Sequence, residues 1–287
     1  MSVLVPTTLD DALEALAADP AAHLLAGGTD LMVEVNFGHR RPGSVISIGR
    51  IAELGGWSLD LDAQVVRIGA GVTYTELMHS ELATLIPALA EASRTVGSPQ
   101  IRNAATLGGN VGTCSPAGDT LPVLAALDAT IELASVEGRR RVAFDEFMIG
   151  PKRSARHPHE IVVAIEVPIV SGWQGFAKVG TRNAMVIAVC NVALVVDRGT
   201  RSVRVAMGSV GPTIIRARQA EAWVTALVDW VAGGLTADAG DLVGLTKEFA
   251  AQCSAESSPI DDHRSTAEYR RHAVGVLAGR LLGRAFA

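Results

Sequence analysis

The sequence predicts an α+β fold, and three observations carry that prediction. Six strand-like runs, 64–70, 130–135, 160–168, 175–180, 187–197 and 202–209, are fully apolar or alternate apolar with polar residues. Helical periodicity runs through 9–18, 216–232, 240–251 and 266–284. The two kinds of segment mix without a regular strand–helix alternation, which favours α+β over a doubly wound sheet. At 287 residues, 48% hydrophobic and 19% charged, the chain exceeds one average domain and can bury a substantial core.

Taken in order, a short strand is expected from Met1 to Val5, then a helix over 9–18. Thr8 is its N-cap, Leu9, Leu13 and Leu16 share a face, and Asp10 and Asp11 favour the first turn. The apolar run 23–26 reads as a buried strand broken by Gly27 and Gly28, after which Thr29 and Asp30 open a helical turn. A strand at 44–48 completes a β-α-β-α-β lobe. The 64–70 strand leads to a helix over 73–79, where Thr73 and Glu76 have capping-box spacing. A helix over 85–93 runs into a glycine-rich loop, and Gly172-Trp173 marks a boundary after Pro168. The final helix is expected to keep Tyr269, Ala273, Val276, Leu277 and Leu281 on one face, with arginines opposite.

Several function classes are disfavoured. The net charge of −5 and pI near 5.8 give no footprint for nucleic acid, and the basic runs 139–141 and 152–156 read as solvated turns or surface strand. No apolar run of about 18 residues could form a membrane span. The N-terminus lacks the pattern of a secretory signal. Cys114, Cys190 and Cys253 are far apart with no CxxC, so no thiolate metal or iron–sulfur site is expected, and a reducing cytoplasmic compartment fits. Cys114 has no His near it in sequence and reads as a small packed residue. His157 and His159 flank Pro158 and read as a surface turn. Arg264, Arg270, Arg271, Arg280 and Arg284 read as a solvated face or subunit contact.

Two Gly-Gly pairs remain, in 25–32 (LAGGTDLM) and 106–113 (TLGGNVGT). Glycine lets successive N–H groups approach an anion closely. Neither segment is GxGxxG or GxxxxGK[ST], so neither a Rossmann nor a P-loop site is supported. Either pair alone reads as a strand-ending turn; both together are consistent with a dinucleotide pyrophosphate. Lys178 is one of only three lysines, with Lys152 and Lys247, among 25 basic residues, so arginine is the ordinary surface cation here.

The segments AGGTDLM (26–32), IRNAATLGGNVGTCSPAGDTLP (101–122) and IGPKRSARHPHEIVVAIEVP (149–168) resemble the FAD-binding medium subunit of the molybdenum hydroxylases. So do FAKVGTRNAMVIAV (176–189), MGSVGPTIIRA (207–217) and TAEYRRHAVGVLAGRLL (266–282), in the family's order across essentially the whole chain. Finer details are most similar to bacterial xanthine dehydrogenase flavin subunits. The resemblance implies a two-lobed FAD-binding domain of the vanillyl-alcohol-oxidase/PCMH type over 1–170, with lobes of about 1–55 and 56–170. A C-terminal α+β domain over 171–287 follows. It implies a first FAD segment of Leu24, Leu25, Ala26, Gly27, Gly28, Thr29, Asp30 and Leu31, whose amides wrap the pyrophosphate. The second is Thr106 to Asn110, with Thr106, Gly108, Gly109 and Asn110 completing the cradle. Asp119 is placed at the adenosine part, Val162 at a backbone contact near adenine or flavin, and Lys178 at the isoalloxazine. Val96 stands where many relatives carry an aromatic residue, and the loop after Lys178 lacks the acidic cluster of some NAD-linked relatives.

By the same resemblance, electrons pass from a molybdenum-cofactor large subunit through a two-iron iron–sulfur small subunit to FAD. From there they go to NAD, dioxygen or another carrier, in a dimer of heterotrimers. No residue of this chain is expected to act as general acid or base, and no metal is expected within it. The competing expectations are a flavin subunit of a carbon monoxide, aldehyde or N-heterocycle dehydrogenase, a self-contained flavin oxidase, and a flavin-free scaffold.

Overall fold

The computed structural model describes residues 2–287; Met1 of the first expected strand lies outside them. The chain begins with β1 (Ser2–Leu4), α1 (Leu9–Ala18), β2 (His23–Leu25), α2 (Leu31–Asn36) and β3 (Ser44–Ser47). The strands form a parallel sheet ordered β1-β3-β2, with Val3 beside Val45 and Leu24 beside Ile46. The Asp11 N–H donates to Thr8 Oγ1 at 3.2 Å, capping α1 as its sequence dictates. Its buried Leu9, Ala12, Leu13 and Leu16 cluster with Ile46 and with Ile161 and Val163 of the next sheet, so the small lobe sits on the larger one.

The middle of the chain holds β4 (Trp57–Asp60), β5 (Val65–Gly69), α3 (Tyr74–His79), α4 (Leu82–Leu85), α5 (Pro87–Arg94), α6 (Pro99–Ala104), α7 (Leu107–Thr113) and α8 (Leu121–Ala126). β6 (Thr130–Ser135), β7 (Gly138–Ala143), α9 (Phe144–Phe147), β8 (Met148–Gly150), β9 (Arg153–Ser154) and β10 (Ile161–Pro168) follow. Five of these strands make an antiparallel sheet ordered β4-β5-β10-β6-β7. The capping box of α3 forms with both arms, Glu76 N–H to Thr73 Oγ1 and Thr73 N–H to Glu76 Oε2. The run Arg139–Arg141 is a surface strand, each arginine paired with a glutamate: Glu132, Glu160 and Glu166. The helix expected at 85–93 starts two residues later, at Pro87, because proline fits only the first helical turn. The glycine-rich stretch expected as a loop is instead the two-turn helix α7, opened by Thr106.

The last third carries β11 (Gly172–Gly180), β12 (Ala188–Asp197), β13 (Ser202–Gly208) and β14 (Ile215–Arg216) in one antiparallel sheet in that order. α10 (Arg218–Ala226), the small hairpin β15 (Val228–Asp229) and β16 (Gly234–Leu235), α11 (Leu242–Glu256) and α12 (Ala267–Phe286) complete it. Every residue of β12 is buried because both faces are covered. Val192, Leu194 and Val196 pack with α11 and α12, while Ala193 and Val195 join the core of the preceding half. The helix expected over 216–232 stops at Ala226; Asp229 accepts from the Val231 and Ala232 N–H groups and turns the chain into the hairpin. The face expected for the final helix fails at two residues, Arg270 and Tyr269. Arg270 is only 3% exposed, donating to the Val189 and Ser209 carbonyls and to Asp262, whereas Tyr269 points outward. Arg284 is a contact within the chain, bonded to Glu91 at 3.0 Å and lying over the Trp173 ring.

Candidate functional site

The first glycine segment leaves the edge strand β2 after the Leu25 carbonyl has accepted from the Ile48 N–H at 2.9 Å. Gly28 has φ of +72°, open to glycine at little cost. Gly27 is constrained by packing instead: a Cβ there would stand 1.7 Å from the Ala104 carbonyl oxygen. The turn is therefore seated against the end of α6. Among the described residues, none of the N–H groups of Ala26, Gly27, Gly28, Thr29, Asp30 and Leu31 donates to another part of the chain. Six consecutive donors at a half-exposed turn suit a bound anion that would otherwise have to be replaced by water. Beside them Lys152 pairs with Glu34 and lies 3.8 Å from Asp30, so the nearby carboxylates are partly neutralised. The hydrogen bond from Lys152 holds the Glu34 carboxyl below its usual range.

The second segment does different work. Gly108 lies so close to Ala70 that a Cβ would meet the Ala70 Cβ at 2.4 Å, and its N–H donates to the Ala70 carbonyl at 2.8 Å. The Gly109 N–H donates to Thr106 Oγ1 at 3.0 Å and the Asn110 N–H to the Thr106 carbonyl at 3.1 Å. These amides, expected to face the phosphates, are engaged within the chain. What remains for a ligand is the Thr106 hydroxyl hydrogen and the Asn110 side-chain amide, whose Oδ1 accepts from Thr120 Oγ1 at 2.6 Å. The two segments do meet, because Gly27 touches the residues just before Thr106.

Asp119 and Lys178, expected at opposite ends of FAD, are in contact. Lys178 Nζ is 2.5 Å from Asp119 Oδ2, and the two side chains are 7% and 8% exposed. Lys178 also donates to the Thr95 carbonyl at 3.1 Å, and Asn191 Nδ2 donates to Asp119 Oδ1 at 3.0 Å. Burial pushes the Asp119 carboxyl above its ordinary value, opposed by Lys178, Asn191 and Thr95. Lys178 and Asn191 are register partners on β11 and β12, so their side chains leave one face of the sheet together and converge on Asp119. The two residues therefore occupy one place in the fold and not two. Val162 is buried in β10 at a bulge between Val162 and Ala164, where the Val163 carbonyl accepts from Ala70.

Lys178 also borders a cavity of about 660 Å³ between the α5–α6 connection and the 180–186 loop. Sequence reading missed three arginines on its wall, Arg94, Arg102 and Arg182. Arg102 and Arg182 stand in the resembling segments 101–122 and 176–189, but nothing there signals a shared wall. It also missed Asn191, which only strand register brings to Asp119. Cys114 is the left-handed C-cap of α7, buried, with its thiol pushed up to about 12 by burial, which leaves it unreactive. The rings of His157 and His159 stack 5.7 Å apart, and no cluster of three or more metal-binding side chains occurs among the described residues.

Residues 1–170 match the family model described as the FAD binding domain in molybdopterin dehydrogenase. The chain belongs to that family. As a flavin subunit of this kind, it is 32% identical over 289 residues to the putative xanthine dehydrogenase FAD-binding subunit of Escherichia coli strain K12, covering 98% of this chain and 94% of that protein. It is 32% identical to the glyceraldehyde dehydrogenase medium chain of Sulfolobus acidocaldarius, covering 94% and 92%. The reconstituted CO dehydrogenase from Oligotropha carboxidovorans matches structurally with a TM-score of 0.87 and 27% identity, over 99% of this chain and 97% of that one. The chain is thus an FAD-binding oxidoreductase subunit of the molybdenum hydroxylase family, with an α+β fold. The residues present fit FAD: the free N–H row at Ala26–Leu31 suits its pyrophosphate, and the gap at Gly27 admits only bare backbone. No helix of the described residues is long and apolar enough to cross a membrane.

Proposed function

We propose that this chain is the flavin subunit of a xanthine dehydrogenase. In this reading FAD runs from the Leu24–Leu31 turn toward the Lys178 cavity. When bound, FAD supplies the exchange between one-electron carriers on one side and a two-electron acceptor on the other. The observation that carries the reading is the row of six N–H groups from Ala26 to Leu31 with no acceptor among the described residues. Those groups hold the pyrophosphate, and Thr106 and Asn110 add side-chain donors beside it. Asp119 orients Lys178, whose ammonium lies at the isoalloxazine end and stabilises negative charge gathering there on reduction. The Val162 backbone closes the same site, and Val96 leaves it without an aromatic stack. The division into 1–170 and 171–287 places this site where the two halves meet.

The medium-chain and FAD-subunit names of the relatives support a multi-subunit assembly. The proposed partners are a molybdenum-cofactor large subunit and a two-iron iron–sulfur small subunit, in a cytoplasmic dimer of heterotrimers with NAD as the acceptor. Xanthine is favoured by full-length likeness to two proteins named for it. Two measurements test the reading. Purified chain that is colourless and releases no FAD on denaturation refutes the flavin assignment. The intact complex offered xanthine, glyceraldehyde, nicotine, caffeine and carbon monoxide tests the substrate; turnover of another member of that set without xanthine refutes the finer assignment.

A further inference from the structure

The Asn110 side chain has one accepting end and one donating end, and only the donating end can serve an anion. Its surroundings decide which end faces outward. Asn110 follows Thr106 by about one turn of α7, so the two side chains leave the same face of that helix. Thr120, which is 0% exposed, donates from Oγ1 to Asn110 Oδ1 at 2.6 Å. A buried hydroxyl hydrogen needs an acceptor, and this bond supplies it. Turning the amide over would leave the Thr120 hydrogen without a partner and set Oδ1 where Nδ2 now stands. At the nitrogen end lies Gly118, where an added Cβ would come within 2.9 Å of Asn110 Nδ2. Nδ2 itself donates to no group among the described residues. The amide is thus held at its oxygen, given room at its nitrogen, and left with hydrogens to spare.

We propose that Thr120 is a positioning residue for the flavin cofactor, its hydroxyl fixing the Asn110 amide with Nδ2 toward the phosphates. The proposal rests on the flavin reading above and adds to it a residue outside both glycine segments. Thr120 is fully buried, so it reaches no ligand itself and acts through Asn110. Its chain neighbour Asp119 turns instead to Lys178 and Asn191. Two consecutive residues therefore have separate duties. Disturbing Thr120 lowers affinity at the phosphates and leaves the surroundings of the flavin ring as they were.

The test is a fluorescence titration of the full chain, freed of cofactor, with FAD. It is joined to the phosphorus NMR spectrum, the visible spectrum and the reduction potential of the bound flavin. T120V keeps the shape of threonine and removes the hydroxyl, which frees the amide to present Oδ1 to the phosphates. FAD affinity should fall about tenfold or more, the worth of one hydrogen bond to a charged group. The phosphorus resonances of bound FAD should shift, while its visible spectrum and potential stay those of wild type. T120S keeps the hydroxyl and should restore both affinity and resonances. N110A removes the amide, and T120V added to it should weaken FAD binding no further. Wild-type affinity in T120V, or a loss that T120S does not restore, overturns the proposal. So does a T120V loss that persists in full beside N110A, which would give Thr120 a packing role alone. Should T120V fail to fold, N110D reads the same contact, because Oδ1 still accepts from Thr120 while an oxygen replaces Nδ2; unchanged FAD affinity in N110D overturns the proposal. A wild-type chain that binds no FAD refutes the flavin reading and this proposal together, whereas wild-type binding with an unmoved T120V refutes the proposal alone.

Discussion

Replacing Gly27 by alanine tests the cradle at its tightest point. The new Cβ would lie 1.7 Å from the Ala104 carbonyl oxygen and 2.4 Å from its carbon, both backbone atoms that cannot rotate away. Relief to a bare 3.0 Å requires the turn and α6 to separate by at least about 1.3 Å. Overpacking of this kind costs about 1–3 kcal/mol, or several degrees of Tm in a chain this size. The larger effect falls on FAD. A shift beyond 1 Å misaims the N–H row, and hydrogen bonds to a charged group are worth about 1.5–3 kcal/mol each. Losing two of them weakens FAD binding by roughly a hundredfold or more. The assay is a fluorescence titration of apo chain with FAD, alongside thermal melts with and without FAD. G112A is the control, since a Cβ there meets nothing within 4 Å and alanine in a helix should raise the melt slightly. A G27A chain that binds FAD with wild-type affinity and melts at the wild-type temperature refutes the argument.

Two further outcomes follow from charge. K178M leaves the Asp119 carboxylate buried without its cation and should destabilise by about 3–5 kcal/mol, with D119L restoring most of the loss in the double variant. Because burial raises the folded-state value of Asp119, protonation favours the fold. The K178M penalty should therefore be smallest below pH 3.8 and grow as pH rises through the raised value, and a penalty independent of pH in urea melts counts against this. At Asp262 burial is outweighed by the Arg264 N–H and the Arg270 guanidinium, which hold the carboxyl down at about 2. Its contribution is present above pH 3.8 and is lost as pH falls toward 2. D262N should thus cost about 1–2 kcal/mol at neutral pH, allowing for screening, and nothing at pH 2. Equal melts of D262N and wild type at pH 7 would contradict it.

Local rules made much of the fold legible. The Thr8 cap, the Thr73–Glu76 box and the buried face of α1 follow from residues within one helical turn, and the structure forms each of them. Failures occur where distant residues decide. Arg270 looks like a surface arginine until the Val189 and Ser209 carbonyls and Asp262 are found around it. α7 contains three glycines in seven residues, a poor helix by propensity. It forms because the close approach of Gly108 to Ala70 buries Leu107 and Val111 and Thr106 caps its start. The candidate site was legible as a list of segments, because glycine pairs and the lone strand lysine stand out in sequence. Its wiring was not. That Lys178 meets Asp119 depends on the α7–α8 connection being brought against β11, and that the cavity is cationic depends on arginines from 94, 102 and 182 sharing a wall.

The two glycine pairs look alike in sequence and differ in physics, and the difference supports the first as the pyrophosphate turn of the proposed site. At Gly27 the backbone touches α6 while its N–H and those of its neighbours meet no acceptor among the described residues; at Gly108 the backbone touches Ala70 and the N–H is consumed. The first pair presents donors, and the second sets the platform that the first rests on. The same division of labour appears at the other end of the site. Asp119 follows α7, Lys178 and Asn191 come from β11 and β12, and the Thr95 carbonyl comes from the end of α5. That cluster exists only when the C-terminal sheet packs against the preceding half, which the burial of β12 on both faces secures. A lesion in that packing far from any glycine, such as A193D at a fully buried position of β12, should therefore release FAD by dispersing the Lys178 cluster while the Leu24–Leu31 turn keeps its own geometry. Amide exchange that stays at wild-type rates across 24–31 in A193D, together with weakened FAD binding, is the expected result; wild-type FAD affinity in a variant whose β11–β12 amides have become exposed would show that the C-terminal half takes no part in the site.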